Sequence, residues 1–234
     1  MTSDNEASTV RPTPAVIAID GTSASGKSTN ARTVARELGF AYVDTGAMYR
    51  TLAWYCLKKG VDIHDMKAVT SACRRWKTRL ANVDGQVRLL VDGYYPEREI
   101  RTDEVSAAVP HVAAAPKVRD WMRDQQRDCV RFGDLVMEGR DIGSNVFPET
   151  EFKFYLDASL SERSRRRAAD GITEDLAKRD KRDSERAAAP LMVPLGAMVV
   201  DTSNHTPAES SELILAEVRR RLHLPPAPGP EAAA

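Results

Sequence analysis

Residues Gly21-Thr22-Ser23-Ala24-Ser25-Gly26-Lys27-Ser28 fit the spacing G-x-x-x-x-G-K-S/T, and their flanks give the match structural meaning. The run before them, from Ala15 to Asp20, is apolar and rich in β-branched residues, so it reads as a buried strand. Lys27 to Leu38 follows with a helical pattern, stopped by Gly39. Strand, loop of small residues and helix together form a cradle for phosphate. Small side chains let the backbone wrap an anion with its N–H groups pointing inward. The start of the helix adds the positive end of its dipole. Lys27 supplies a point charge for the β- and γ-phosphates, and Ser28, followed by Thr29, offers a hydroxyl to Mg²⁺. The loop therefore predicts a nucleoside triphosphate site. Alone, it does not separate an enzyme from a nucleotide-switched binding module.

The remaining pattern extends an α/β fold. Phe40 to Val43 reads as a second strand and Gly46 to Lys59 as a helix ended by Gly60, which opens a parallel sheet. Residues 78–101 break that rhythm: Val83-Asp84-Gly85 is a hairpin-type turn, and Val87, Leu89 and Val91 alternate as in a half-buried strand. They read as a small antiparallel insert apart from the main sheet. Helical patterns return from Asp103 to Arg131, interrupted near Pro110 and Pro116. Leu135–Glu138 and Phe152–Leu156 are further strands. Ser161–Arg186 reads as one long charged helical region, Ala197–Val200 as the last strand and Ala208–Leu222 as the closing helix. One domain is expected over 15–224, with an insert at about 63–112 and a helical lid at about 159–187. The polar segment 1–14 and the Pro- and Ala-rich segment 225–234 are expected to be disordered.

Charge narrows the function. Lys plus Arg number 34 and so do Asp plus Glu, a balance that argues against a polyanion such as nucleic acid as main partner while leaving room for a local anion site. No apolar run is long enough to span a bilayer, and the first residues lack a signal pattern. A cytoplasmic monomer with no membrane partner is expected. Cys56, Cys73 and Cys129 are too scattered for a disulfide frame or thiolate metal site and read as reduced thiols. The four histidines show no paired ligand spacing.

A phosphate acceptor needs its own guanidiniums, and candidates occur in four places. In Asp44-Thr45-Gly-Ala-Met-Tyr-Arg50, Asp44 closes a strand, where ligand sites of parallel sheets collect, and could hold Mg²⁺ through water. Thr45 there suits a helix N-cap, and Arg50 either reaches an anion or lies on the surface. In Glu138-Gly-Arg140-Asp141-Ile-Gly143 a charged pair between glycines follows a buried strand; it suits a cleft, or else a salt-bridged turn. Arg179, Arg182, Asp183 and Arg186 share one helix face by spacing, and either hold an anion or form a solvated stripe. Arg163, Arg165, Arg166 and Arg167 form either a lid over the triphosphate or a basic surface helix.

In this order the segments resemble the bacterial cytidylate kinases. The quotable pieces are Ile19 to Thr29, Asp44 to Arg50, Glu99-Ile-Arg-Thr102, Pro116-Lys-Val-Arg119, Glu138 to Gly143, Tyr155-Leu-Asp-Ala158 and Lys178 to Arg186, and the likeness runs from about Val16 to Leu222. The resemblance implies a P-loop kinase fold, with a five-stranded parallel sheet flanked by helices, an added antiparallel insert and a lid. It implies transfer from ATP, with Mg²⁺, to CMP or dCMP. In the family's pattern Arg50, Arg140 and Arg186 face the acceptor phosphate, Arg119 and Asp141 face cytosine, and Arg179 with Asp183 the sugar hydroxyls. Lys27, Arg140 and Arg186 are then the catalytic set, and Arg163 and Arg167 join the phosphate loop on the donor. An Asp suits the cytosine amino group and an Arg its ring acceptors, whereas uracil reverses the pattern. Two positions depart: Pro110 stands where the family often has a base-reading Ser, and Thr22 where it often has Pro. The rival readings are a kinase for another small acceptor, such as UMP, AMP or shikimate, and a nucleotide-dependent binding module.

Overall fold

A computed structural model describes residues 13–169, 175–186 and 188–225. The disorder expected for residues 1–12 and 226–234, and lid positions 170–174 and 187, lie outside the described residues. The chain begins with strand β1 (Val16–Gly21), helix α1 (Lys27–Leu38), β2 (Ala41–Asp44) and α2 (Thr45–Lys58). Then come α3 (Met66–Arg75), the hairpin β3 (Thr78–Val83) and β4 (Gln86–Val91), α4 (Asp103–Ala114) and α5 (Pro116–Asp128). It closes with β5 (Leu135–Glu138), β6 (Phe152–Asp157), α6 (Leu160–Ala169), α7 (Leu176–Ser184), β7 (Met198–Asp201) and α8 (Pro207–Leu222).

Among the described residues one seven-stranded sheet runs β3-β4-β2-β5-β1-β6-β7. The expected five parallel strands are β2-β5-β1-β6-β7. The hairpin, read from sequence as a separate insert, instead extends this sheet: β4 pairs parallel with β2 (Tyr42 with Gln86, Val43 with Val87), and only β3 runs antiparallel. Its turn is the two-residue loop Asp84-Gly85, both at positive φ (51° and 75°), the twist that matches two antiparallel strands.

Both faces of the sheet are covered, as parallel strands require. Residues of β1 alternate between the two cores. Val16 and Ala18 pack with Leu52, Val105, Val118 and Met122 of α2, α4 and α5. Ile17 and Ile19 pack with Val34, Ile214 and Val218 of α1 and α8. Helix α8 starts with a reciprocal cap between Thr206 and Glu209. Cys56, Cys73 and Cys129 are buried free thiols.

Three local expectations are corrected. Pro110 does not interrupt its helix: α4 runs through it, because Val105, Ala108 and Val112 stay fully packed in the core and offset one missing N–H bond. The break falls at Ala115, with Pro116 as first residue of α5, where its missing donor is harmless. The charged region before Arg186 is two helices, not one, since Asp175 caps a fresh start by accepting from Lys178 N at 3.0 Å. The cap of α2 is Asp44 rather than Thr45: Asp44 Oδ1 accepts from Ala47 N at 2.7 Å, while the Thr45 hydroxyl donates to Glu138 O at 2.7 Å.

Candidate active site

The loops after β1, β2, β5 and β6 gather at the C-terminal edge of the sheet, where open α/β sheets place their ligands. Register fixes the neighbours there: Glu138 of β5 stands between Ile19 of β1 and Asp44 of β2.

The phosphate loop is pressed onto β6. A Cβ on Gly21 would lie 1.9 Å from the carbonyl oxygen of Leu156, so no side chain fits at that φ of 149°. Thr22 Oγ1 donates to Asp157 Oδ1 at 2.8 Å, and Ser25 Oγ to Thr22 O at 3.0 Å. Lys27 is buried within the loop, its Nζ donating to Thr22 O and, at 3.4 Å, to Ser25 Oγ. Burial pushes its pKa well down, Arg140 and Arg179 push the same way, and Glu138 opposes them. A phosphate seated against Lys27 would favour its charged form. Ser28 and Thr29 are exposed at the start of α1. The Ser28 hydroxyl donates to Glu138 Oε2 at 2.9 Å, and the Tyr42 hydroxyl to Glu138 Oε1. Burial, then Asp44, raises the Glu138 carboxyl, with Tyr42, Lys27 and Ser28 opposing. A hydroxyl and a carboxylate, both hard oxygen donors, fit a Mg²⁺ ion that keeps several waters. The Asp44 carboxylate is already engaged by Ala47 N and, at 2.8 Å, by Arg50.

Three of the four clustered arginines reach this loop. Arg163 is buried, donates to Ser23 O at 3.2 Å and to Ala158 O at 2.9 Å, and pairs with Asp180. Arg167 donates to Ser23 Oγ at 3.3 Å. Arg166 donates to Ala24 O at 3.4 Å and Thr202 O at 2.6 Å. Arg165 turns outward to Glu162. Asp180 also accepts from Ser23 N at 3.2 Å, tying α7 to the loop.

A second set of guanidiniums faces the loop. Arg140 Nε meets Asp183 Oδ2 at 3.1 Å, and Arg186 Nη2 meets Asp183 Oδ1 at 2.6 Å. Burial would raise Asp183, but Arg140 and Arg186 together hold it below the usual carboxylate range. Arg179 adds its charge to both Asp183 and Lys27. The expected single helix face is only partly realised: α7 ends at Ser184, Arg186 lies beyond it, and Arg182 is exposed. Arg119 Nη2 pairs with Asp141 Oδ2 at 2.7 Å, both buried, and Asn145 Nδ2 donates to the same oxygen at 3.0 Å. Tyr49 of α2 feels Arg119, Asp141 and Arg186 by charge, while burial above all pushes its hydroxyl up to about 12. Residues from α2, α5, the turn after β5 and the end of α7 thus converge. The Nε atoms of Arg50 and Arg119 are buried and make no hydrogen bond among the described residues, a polar demand that a bound ligand would meet.

Sequence reasoning assigned no role to Asp20, Tyr42, Glu138, Asn145 or Asp180. Asp20 and Glu138 are carboxylates at strand ends in segments already singled out, a signal that could have found them. Tyr42, Asn145 and Asp180 carried none.

Comparisons with known proteins identify the family. A family profile described as cytidylate kinase matches residues 17–220. A cytidylate kinase of Pelotomaculum thermopropionicum is 40% identical, the alignment covering 86% of this chain and 95% of that protein. One from Geobacillus kaustophilus is 41% identical over 88% of this chain and 97% of its own length, and one from Symbiobacterium thermophilum 40% over 88% and 96%. With the phosphate loop at the head of the sheet and a guanidinium cluster across from it, the chain belongs to the cytidylate kinase family.

Proposed function

We infer that the protein transfers the γ-phosphoryl group of ATP to CMP or dCMP, giving ADP and CDP or dCDP. The observation that carries this reading is the mutual approach of two anion sites: Asp183 of α7 joins Arg140 and Arg186, and Asp180, one helical turn earlier, accepts from Ser23 N of the loop at 3.2 Å. A switch module has no use for the second site.

Loop amides and Lys27 take the ATP phosphates, with Arg163 and Arg167 on the lid side. Arg50, Arg140 and Arg186 clamp the acceptor phosphate, whose oxygen is already a nucleophile and needs no strong base. Transfer is in line, and rate comes from positioning and fixed charge. Asp141 accepts from the cytosine amino group and Arg119 donates to the ring acceptors. Arg179 and Asp183 serve the sugar hydroxyls. Mg²⁺, when bound, neutralises charge on the phosphates; Ser28 would hold it, with Glu138 and Asp44 acting through water. The lid helices exclude water, which protects ATP from hydrolysis.

Pro110 lies within α4 and brings no hydroxyl to the base. Discrimination against uracil then falls on Asp141 and Arg119. A coupled assay of ADP release across CMP, dCMP, UMP and AMP tests the reading: CMP and dCMP support turnover and UMP lags far behind. Turnover of UMP equal to or faster than that of CMP would overturn the acceptor assignment.

A further inference from the structure

We propose that Asp20, although it ends the strand that leads into the donor loop, is a positioning residue for the acceptor pocket. The inference rests on the reading of Arg140 and Asp141 as acceptor residues.

The β1–β5 ladder runs out just where the acceptor residues begin. Gly139 N still donates to Ile19 O at 3.0 Å, and beyond it the chain leaves the sheet. Asp141 takes an irregular backbone conformation (φ −147°, ψ 27°) before the single π-type turn Ile142–Val146. The next two N–H groups go to one side chain. Asp20 Oδ1 accepts from Ile142 N at 2.8 Å and Oδ2 from Gly143 N at 2.7 Å. Arg140 and Asp141 are thus held between a ladder bond on one side and a two-pronged carboxylate on the other. Asp20 is fully buried, and an acid in such a place is kept only where its hydrogen bonds compensate. Burial, more than the nearby Asp141, pushes it up to about 6, with its two backbone bonds opposing.

The same geometry says what Asp20 does not do. Both of its oxygens are engaged by backbone, and Lys27 bonds to Thr22 and Ser25 instead. A change at Asp20 should therefore move the acceptor side, although its sequence neighbour is the donor loop.

Asp20→Asn keeps the shape but offers one acceptor oxygen and turns an NH₂ toward a backbone N–H. The expected result is a KM for CMP raised about tenfold or more, with KM for ATP changed by less than about twofold. An unchanged KM for CMP, or an equal rise for ATP, overturns the proposal. Arg140→Ala is run beside it: if that variant binds CMP normally, the acceptor reading itself fails; if it loses CMP while Asp20→Asn does not, only the role of Asp20 fails. Should Asp20→Asn not fold, Asp20→Ser leaves the two amides to water and is expected to shift the same constant. Wild-type hydrogen exchange supplies a readout free of any variant: the amides of Ile142 and Gly143 exchange as slowly as those of the β1–β5 ladder, and free exchange there would refute the contact.

Discussion

Replacing Arg186 by alanine separates the two halves of the site. Its guanidinium lies just past α7 and bonds to Asp183 at 2.6 Å, with both side chains 18% exposed. Asp183 keeps Arg140 at 3.1 Å in the variant, so no buried charge is left alone and folding should suffer by no more than about 1 kcal/mol. The loss for the acceptor is larger. A guanidinium bonded to phosphate contributes ~1.5–3 kcal/mol per charge-assisted bond, and a two-armed contact up to about 4 kcal/mol. At about 1.4 kcal/mol per factor of ten, kcat/KM for CMP falls by ~10- to 700-fold. The proposed assignment seats ATP on the loop and lid instead, so its KM is expected to change by less than about twofold. Steady-state kinetics with each substrate varied in turn gives both numbers, and thermal melting checks the fold. A variant with near-normal CMP kinetics, or one in which KM for ATP rises as far as that for CMP, refutes the reasoning.

Further outcomes are expected. Glu138→Gln keeps an acceptor for Ser28 but disrupts the bond from Tyr42; kcat should drop ~10-fold or more with a raised Mg²⁺ requirement, and an unchanged Mg²⁺ titration would contradict the assignment. Asp183 is held below its ordinary range, so the stability it contributes is complete above the unfolded value near pH 4 and drains away as pH falls below it. Urea unfolding of wild type and Asp183→Asn should therefore converge between pH 7 and pH 3, and a gap that stays constant would be contrary. Burial pushes the Cys56 thiol up to about 11 and those of Cys73 and Cys129 up to about 12. All three should resist thiol reagents at pH 8 until the protein unfolds, and fast labelling of the native enzyme would count against the packed core.

Much of this was readable in the sequence, for physical reasons that differ by residue. The loop from Gly21 to Ser28 announced itself because small residues between a β-branched run and a helix have few other uses. Arg140 and Asp141 stood out because charges flanked by glycines after a buried strand fit poorly into a core. The parallel pairing of β4 with β2 was invisible, since hydrophobic alternation records which face is buried and not which distant strand lies alongside. Pro110 misled because local propensity predicts a break, while the packing of Val105, Ala108 and Val112 decides otherwise. The joining of Arg140 and Arg186 on Asp183 spans about forty residues and depends on where α7 ends. Asp20 was marked as a carboxylate at a strand end beside the loop, but its role was not, because its partners at Ile142 and Gly143 are backbone amides, and these leave no mark in a sequence.

The account stands on a direct passage of phosphate between two facing sites, and labelled phosphate reports on that step itself. With ATP carrying ³²P at its γ-position and equimolar CMP, the label should appear in the β-phosphate of CDP, with almost none released as inorganic phosphate. Label collecting as free phosphate, or leaving ATP at the same rate when CMP is omitted, would contradict it.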